Sequence, residues 1–294
     1  MLRSRLLTWI SACVAGPLVA GAAQAQLVVG EETVPAFDRL LSGKERIFEP
    51  LPPAPADTGT LLINGTPVDP AFFPGIFRMT TGGTCTASLV GPATILLAAH
   101  CVDHGALVQF AVGPSLVRSI CEQADGFRLG NASTDWALCL LEHAITGLAY
   151  ETINASSVPA IGERIFLTGY GCTQQGGGLD GVLRIGFSTV DERPAGFPPE
   201  TSTIYTTSDI SAGEAVLCPG DSGGPAFIIA GDEQGSSRKI VGVNSRTTFQ
   251  FGVSLLAATG SSAGRLFIED WASRHEHNGS PQEICGVTLS VGCR

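Results

Sequence analysis

The sequence predicts an all-β fold, and three observations carry that prediction. The chain of 294 residues is loop-rich in composition, with 37 glycines, 18 prolines and only 15% charged residues. Short strand-forming runs recur between turn signals, as in Phe77-Arg78-Met79-Thr80, Ser88-Leu89-Val90, Ile165-Phe166-Leu167-Thr168 and Ile240-Val241-Gly242-Val243. Such spacing suggests a sandwich or barrel. Only residues 264–275 read convincingly as a helix, with Leu266, Phe267, Ile268 and Trp271 at compatible spacing. The length allows one large domain or two small ones around a sizeable core.

Residues 1–25 read as an export signal. Arg3 and Arg5 precede a mostly apolar stretch over 6–20, and Ala23-Gln24-Ala25 offers small residues for cleavage. The apolar run is short for a bilayer span, so no membrane association is expected once the signal has gone. Cys13 leaves with it, which turns nine cysteines into an even eight. An even set in an oxidising compartment implies a disulfide framework, and the protein is expected to be secreted, extracellular or periplasmic. The net charge is −10 and no Lys/Arg run interrupts the sequence, which argues against a nucleic-acid partner. A monomer is expected.

Residues 26–61 differ in kind from the rest of the mature chain. The stretch 34–46 predicts a short helix, with Pro35 tolerated in its first turn and Gly43 weakening its end. Glu49-Pro50-Leu51-Pro52-Pro53-Ala54-Pro55-Ala56 is by composition an extended, semi-rigid linker. The segment reads either as a tether or as a propeptide.

The chemistry is concentrated in three stretches. Cys218-Pro219-Gly220-Asp221-Ser222-Gly223-Gly224-Pro225 surrounds one serine with glycines, which permit positive φ and a close substrate approach. The amides of Gly220 and Ser222 can point at one spot, where the oxyanion of an acyl transfer would form. A Gly-rich turn with an incidental serine is the bland alternative, so context must decide. Upstream, Leu96-Leu97-Ala98-Ala99-His100-Cys101 ends an apolar run in a histidine pinned by a cysteine. A Cys85–Cys101 bridge would close a short loop, worth about 3 kcal/mol, and fix where the imidazole sits. That bridge also argues against reading His100-Cys101-Val102-Asp103-His104 as a zinc cluster, because an oxidised cysteine offers no thiolate. No metal or cofactor is expected. Thirdly, Asp135 enters the apolar run Trp136-Ala137-Leu138-Cys139-Leu140-Leu141. A buried carboxylate needs partners, and the acid that orients a catalytic histidine sits in such a place.

Leu97-Ala98-Ala99-His100-Cys101, Asp135-Trp136-Ala137-Leu138 and Gly220-Asp221-Ser222-Gly223-Gly224-Pro225 together resemble the three active-site signatures of the chymotrypsin/trypsin-like serine peptidases, in that family's order. Leu62-Ile63-Asn64-Gly65 is similar to its mature start and Thr168-Gly169-Tyr170-Gly171 to its Gly-Trp-Gly turn. The resemblance implies two six-stranded antiparallel β-barrels, a C-terminal helix and an active site in the cleft between the barrels. It places a peptidase domain over 62–275, followed by a tail over 276–294. Ser222 is then the nucleophile, His100 its general base, Asp135 the orienting acid, and Gly220 and Ser222 the oxyanion hole. Peptides or proteins are the implied substrates.

The same resemblance aligns Val216 with the floor of the primary specificity pocket, where Arg/Lys-preferring members carry Asp. Leu217 adds apolar wall, Thr247 and Gly252 align with the rim, and Ser245 with the serine that supports the buried acid. Small or medium apolar P1 residues are therefore expected, because a substrate cation would be buried unpaired. Arg246 stands where the family usually has an aromatic, so the groove is atypical. Cys85–Cys101 follows the family pattern. Cys285 and Cys293 bracket a hairpin-like tail, Cys121 and Cys139 flank the strands leading to Asp135, and Cys172 is left for Cys218.

In many relatives a cut frees an N-terminus that pairs with the acid before the nucleophile, here Asp221. The expected cut lies before Leu62 or Leu61, with 26–61 removed. No Lys or Arg lies between Arg46 and Arg78, so a protease cutting after Thr or Leu is implied. A permanent extension with an internal partner for Asp221 is the alternative. Two other functions compete: an inactive homologue acting as a binding protein, and an esterase. The intact triad argues against the first, and its His–Asp–Ser order against the α/β-hydrolase esterases.

Overall fold

Inward-facing apolar positions build a first barrel from the N-terminal half of the chain. The structure is a computed structural model that describes residues 27–33, 47–50, 62–112, 115–229, 238–276 and 279–294. The export signal, the helix expected over 34–46 and the Pro-rich stretch 51–61 lie outside the described residues. The first ten strands are β1 (Val28–Thr33), β2 (Ile47–Pro50), β3 (Thr66–Pro67), β4 (Ile76–Thr81), β5 (Thr86–Gly91), β6 (Thr94–Leu97), β7 (Ala106–Val112), β8 (Ser115–Gln123), β9 (Ala137–Leu141) and β10 (His143–Thr146). A four-residue helix, α1 (Asp125–Arg128), lies between β8 and β9.

Along β7, Ala106, Val108, Phe110 and Val112 are buried while the residues between them are only half-buried, as period-two side chains on a barrel wall should be. By contrast, β5, β6 and β9 are buried on both faces, the outer face being covered by other parts of the molecule. The barrel closes in the order β2-β4-β5-β6-β9-β8-β7. It therefore has seven strands where six were expected. The extra one is β2, from the stretch read as tether or propeptide, and it carries the fully buried Phe48 into the core.

The second barrel uses β12 (Arg164–Gly169), β13 (Arg184–Asp191), β14 (Thr203–Thr207), β15 (Pro225–Ile229), β16 (Arg238–Thr248) and β17 (Val253–Ala258), preceded by the short β11 (Thr152–Ile153). These six main strands run β16-β15-β12-β13-β14-β17 and close where β17 pairs again with β16. Ile165, Leu167, Val241 and Leu256 fill its interior together with Leu62. Helix α2 (Ser262–Arg274) follows, capped by the Ser261 hydroxyl, which accepts from Gly264 N–H at 3.1 Å. Its buried face is Gly264, Ile268, Trp271 and Ala272, a helical spacing.

Four disulfides are present among the described residues: Cys85–Cys101, Cys121–Cys139, Cys172–Cys218 and Cys285–Cys293. Cys121 and Cys139 are direct partners across the β8–β9 ladder. The tail is not the hairpin that its cysteines suggested. Its described residues make only isolated bridges, and it docks on the first barrel through Cys285 N–H, which donates to Val90 O at 2.7 Å.

Candidate active site

The imidazole is placed by a short turn under tight constraint. Ala98 and Ala99 are fully buried at the end of β6, and the chain then turns through a single 3₁₀ turn at Ala99–Cys101. Cys101 is bonded to Cys85, which leaves the His100 side chain partly exposed at the barrel's rim. The Cys85 and Cys101 sulfurs lie close to the ring but are bonded to each other, so they present no thiolate to a metal ion.

Asp135 arrives from another 3₁₀ turn, Ala132–Thr134, whose start is capped by Asn131 accepting from Ser133 N–H at 3.1 Å. The next residue, Trp136, is fully buried and donates its Nε1–H to Ala257 O at 3.0 Å, anchoring this turn to the second barrel. The Asp135 carboxylate is only 2% exposed and accepts three hydrogen bonds. They come from His100 N–H at 2.9 Å, His100 Nδ1–H at 2.7 Å and the Ser245 hydroxyl at 2.6 Å. Burial alone would raise its pKa. The bonds and charge of His100, with the Ser245 hydroxyl, outweigh that and hold the carboxyl below its usual range. With Nδ1 bonded to Asp135, Nε2 of the ring makes no hydrogen bond among the described residues.

The loop holding Ser222 is tied down from several sides. Thr86 N–H donates to Ser222 O at 2.7 Å, and the Thr86 hydroxyl donates to Gly220 O at 2.9 Å. Asn244 donates its side-chain amide to Thr168 O at 2.9 Å and Asp221 O at 3.2 Å. Gly220 has φ +105°, a conformation that other residues rarely adopt. With its carbonyl turned to Thr86, no internal partner takes the amide of Gly220 or of Ser222 among the described residues. Sequence reading did not single out Thr86 or Asn244 as braces; each looks like an ordinary strand residue until the loop is in place.

Asp221 is completely buried beneath this loop. Its carboxyl accepts from Gly171 N–H at 2.7 Å and Cys218 N–H at 2.8 Å. A Cβ on Gly171 would lie 2.4 Å from the carboxyl group, which explains why a glycine stands there. Burial pushes the Asp221 pKa up to about 7, and the two amides and the charge of Arg184 offset this only in part. The Arg184 guanidinium is already engaged, donating to Asp180 at 2.6 and 2.8 Å and to Val182 O at 3.0 Å. Leu62 is buried in the second barrel's core with φ +71°, and Ile63 bridges to Val216. In this uncut chain no ion pair joins Leu62 to Asp221 among the described residues.

His100, Gly220, Ser222, Ser245, Leu217 and Thr247 line one open cleft of about 410 Å³. Arg246 also lines it, held by Glu200 at 2.7 Å. Val216 is fully buried behind the wall, and Gly252 is packed against Ser208 O, so neither reaches the described lining. The cleft is also lined by Met79 near the end of β4 and by Gly82, Gly83 and Thr84 in the turn after it, which the sequence did not mark as part of a site.

A histidine held by a buried, charge-stabilised aspartate faces the same cleft as a serine between free amides, which is the equipment for acyl transfer. Comparison with known proteins points the same way. The family model described as Trypsin matches residues 62–252. Serine protease SP24D of Anopheles gambiae is 31% identical over 189 residues, which cover 58% of this chain and 68% of the relative. The chain belongs to the trypsin family.

Proposed function

We propose that this protein is an exported serine endopeptidase that works through an acyl-enzyme on Ser222. The observation that carries the reading is the hydrogen-bonded set His100–Asp135–Ser245, opening on the cleft that Ser222 and Gly220 also line. The Ser222 hydroxyl attacks the scissile carbonyl while His100 Nε2 takes its proton. Asp135 stabilises the resulting imidazolium, and the Gly220 and Ser222 amides receive the oxyanion. His100 then passes its proton to the leaving amine, and water repeats the sequence to release the acid.

No carboxylate stands in the described cleft lining, while Leu217 and Thr247 do, which supports small or medium apolar P1 residues. The disulfides support an oxidising compartment outside the cytoplasm. No described helix is long and apolar enough to cross a membrane, and the protein acts as a monomer on peptide or protein substrates. Activation proceeds by a cut just before Leu62, whose new ammonium supplies the cation that Asp221 lacks. Peptide hydrolysis by the cut protein tests the function. Ser222→Ala should lower turnover by a factor on the order of 10⁶. Equal turnover in that variant would contradict the proposal, and a folded, cut parent with no turnover would favour an inactive, binding homologue.

A further inference from the structure

We infer that β2 is a permanent strand of the first barrel, seated in a slot between β4 and β7, so that a cut before Leu62 yields two chains held together without a covalent link. This goes beyond the catalytic reading and does not depend on it. Strands β4 and β7 make no ladder with each other among the described residues; β2 lies between them and completes the ring. It pairs antiparallel with β4, Phe48 opposite Met79, and parallel with β7, Phe48 opposite Phe110. Without it β4 and β7 would have to shift together and pair with each other, or leave open edges whose unpaired amides and carbonyls favour aggregation.

The packing agrees with the pairing. The Phe48 ring stacks on Phe110 with centroids 4.8 Å apart, and Phe110 meets Phe77 edge-on at 5.5 Å. Phe48 is 0% exposed, which no dispensable leader requires. The segment holds at a second place, where β1 pairs antiparallel with β10. The four described disulfides lie within residues 85–293, so among the described residues strand pairing and apolar contact are what retain the segment after a cut. The partner that the β4–β7 slot accepts is thus a short extended peptide with one inward aromatic, bound by strand addition. Strand β4 runs into the turn that walls the cleft, so loss of β2 would disturb the site as well.

The test inserts a recognition sequence for a site-specific protease between Ala56 and Asp57 of the full chain. After cutting, the two fragments are followed by gel filtration and by native and denaturing mass spectrometry. They are expected to travel together in native buffer and to part only in denaturant. Phe48→Ala is expected to weaken retention of the N-terminal fragment about a hundredfold or more. Separation in native buffer, with the larger fragment keeping the thermal midpoint of the uncut protein, would overturn the inference. The uncut Phe48→Ala variant tests the strand without any cleavage. Truncating a barrel strand's core residue lowers the melting temperature by several degrees, whereas an unchanged midpoint would show that the strand contributes nothing. Neither readout requires catalysis, so a failure of the peptidase reading would leave the test intact.

Discussion

Asp221, a buried carboxyl group with two amide donors and no ion-pair partner among the described residues, makes the stability of the uncut chain depend on pH. In the folded protein Asp221 has a pKa of about 7, while in the unfolded chain it titrates near 4. The folded state therefore holds this proton longer. Between about pH 4 and 7 it binds more protons than the unfolded state, so stability falls as pH rises through that window. The full difference is about 4 kcal/mol at one pKa unit per 1.36 kcal/mol. Urea unfolding of the uncut chain at pH 5 and pH 8 should show the loss, and Asp221→Asn should remove that share of it. If the proposed cut sets an ammonium beside Asp221, the cut protein should show a smaller loss. An identical pH slope in Asp221→Asn and the parent would refute this account of the site. At this scale the sequence was informative where chemistry imposes a residue type. His100, Asp135 and Ser222 stand in motifs that few other functions need, and the structure sets the first two in contact. Val216 and Gly252 rest on alignment alone, and nothing in a linear sequence shows that both are buried away from the cleft lining.

Helix α2 shows how one element is fastened to the first barrel from outside. Glu122, at the end of β8, accepts from Arg274 at 2.8 Å and from His275 Nε2 at 2.8 Å. Burial would raise its pKa, yet these bonds and charges hold it down to about 2. A depressed carboxylate stabilises the fold above its unfolded pKa, and that stability is lost as pH falls towards 2. Glu122→Gln should therefore cost about 1 kcal/mol at pH 7, a modest figure because solvent reaches the pair. The cost should vanish near pH 2, and chemical unfolding at both values checks it; an equal cost at both would contradict the ion pair. This helix is legible because residues 264–275 repeat apolar residues at helical spacing over three turns; its start at Ser262 and its Ser261 cap come only with the structure. Strand β2 was not: four residues with one inward Phe48, next to a proline-rich run, cannot show alternation. The same brevity hid the tail's true form, since bracketing cysteines suit a knot of turns as well as a hairpin.

Across the whole molecule, the two barrels divide the labour. His100 and Asp135 come from the loops of the first barrel, Ser222 and Ser245 from the second, and the cleft opens between them. That division is why the order of three short motifs carried so much of the architecture, whereas the seventh strand of the first barrel carried no motif at all. The cleft also sets a specificity test. Peptide libraries should be cut faster after Ala, Val or Leu than after Arg or Lys, because no described lining carboxylate would pair with a substrate cation. Preference for Arg or Lys would contradict that assignment while leaving the nucleophile untouched.

An activated nucleophile at Ser222 would be caught by covalent labelling. The folded protein, uncut and cut before Leu62, is treated with a fluorophosphonate probe and mapped by peptide mass spectrometry. One adduct is expected, on Ser222, stronger in the cut form, absent from Ser222→Ala and greatly slowed in His100→Ala. A folded, cut protein that leaves Ser222 unlabelled, or a His100→Ala variant that labels as fast as the parent, would contradict it.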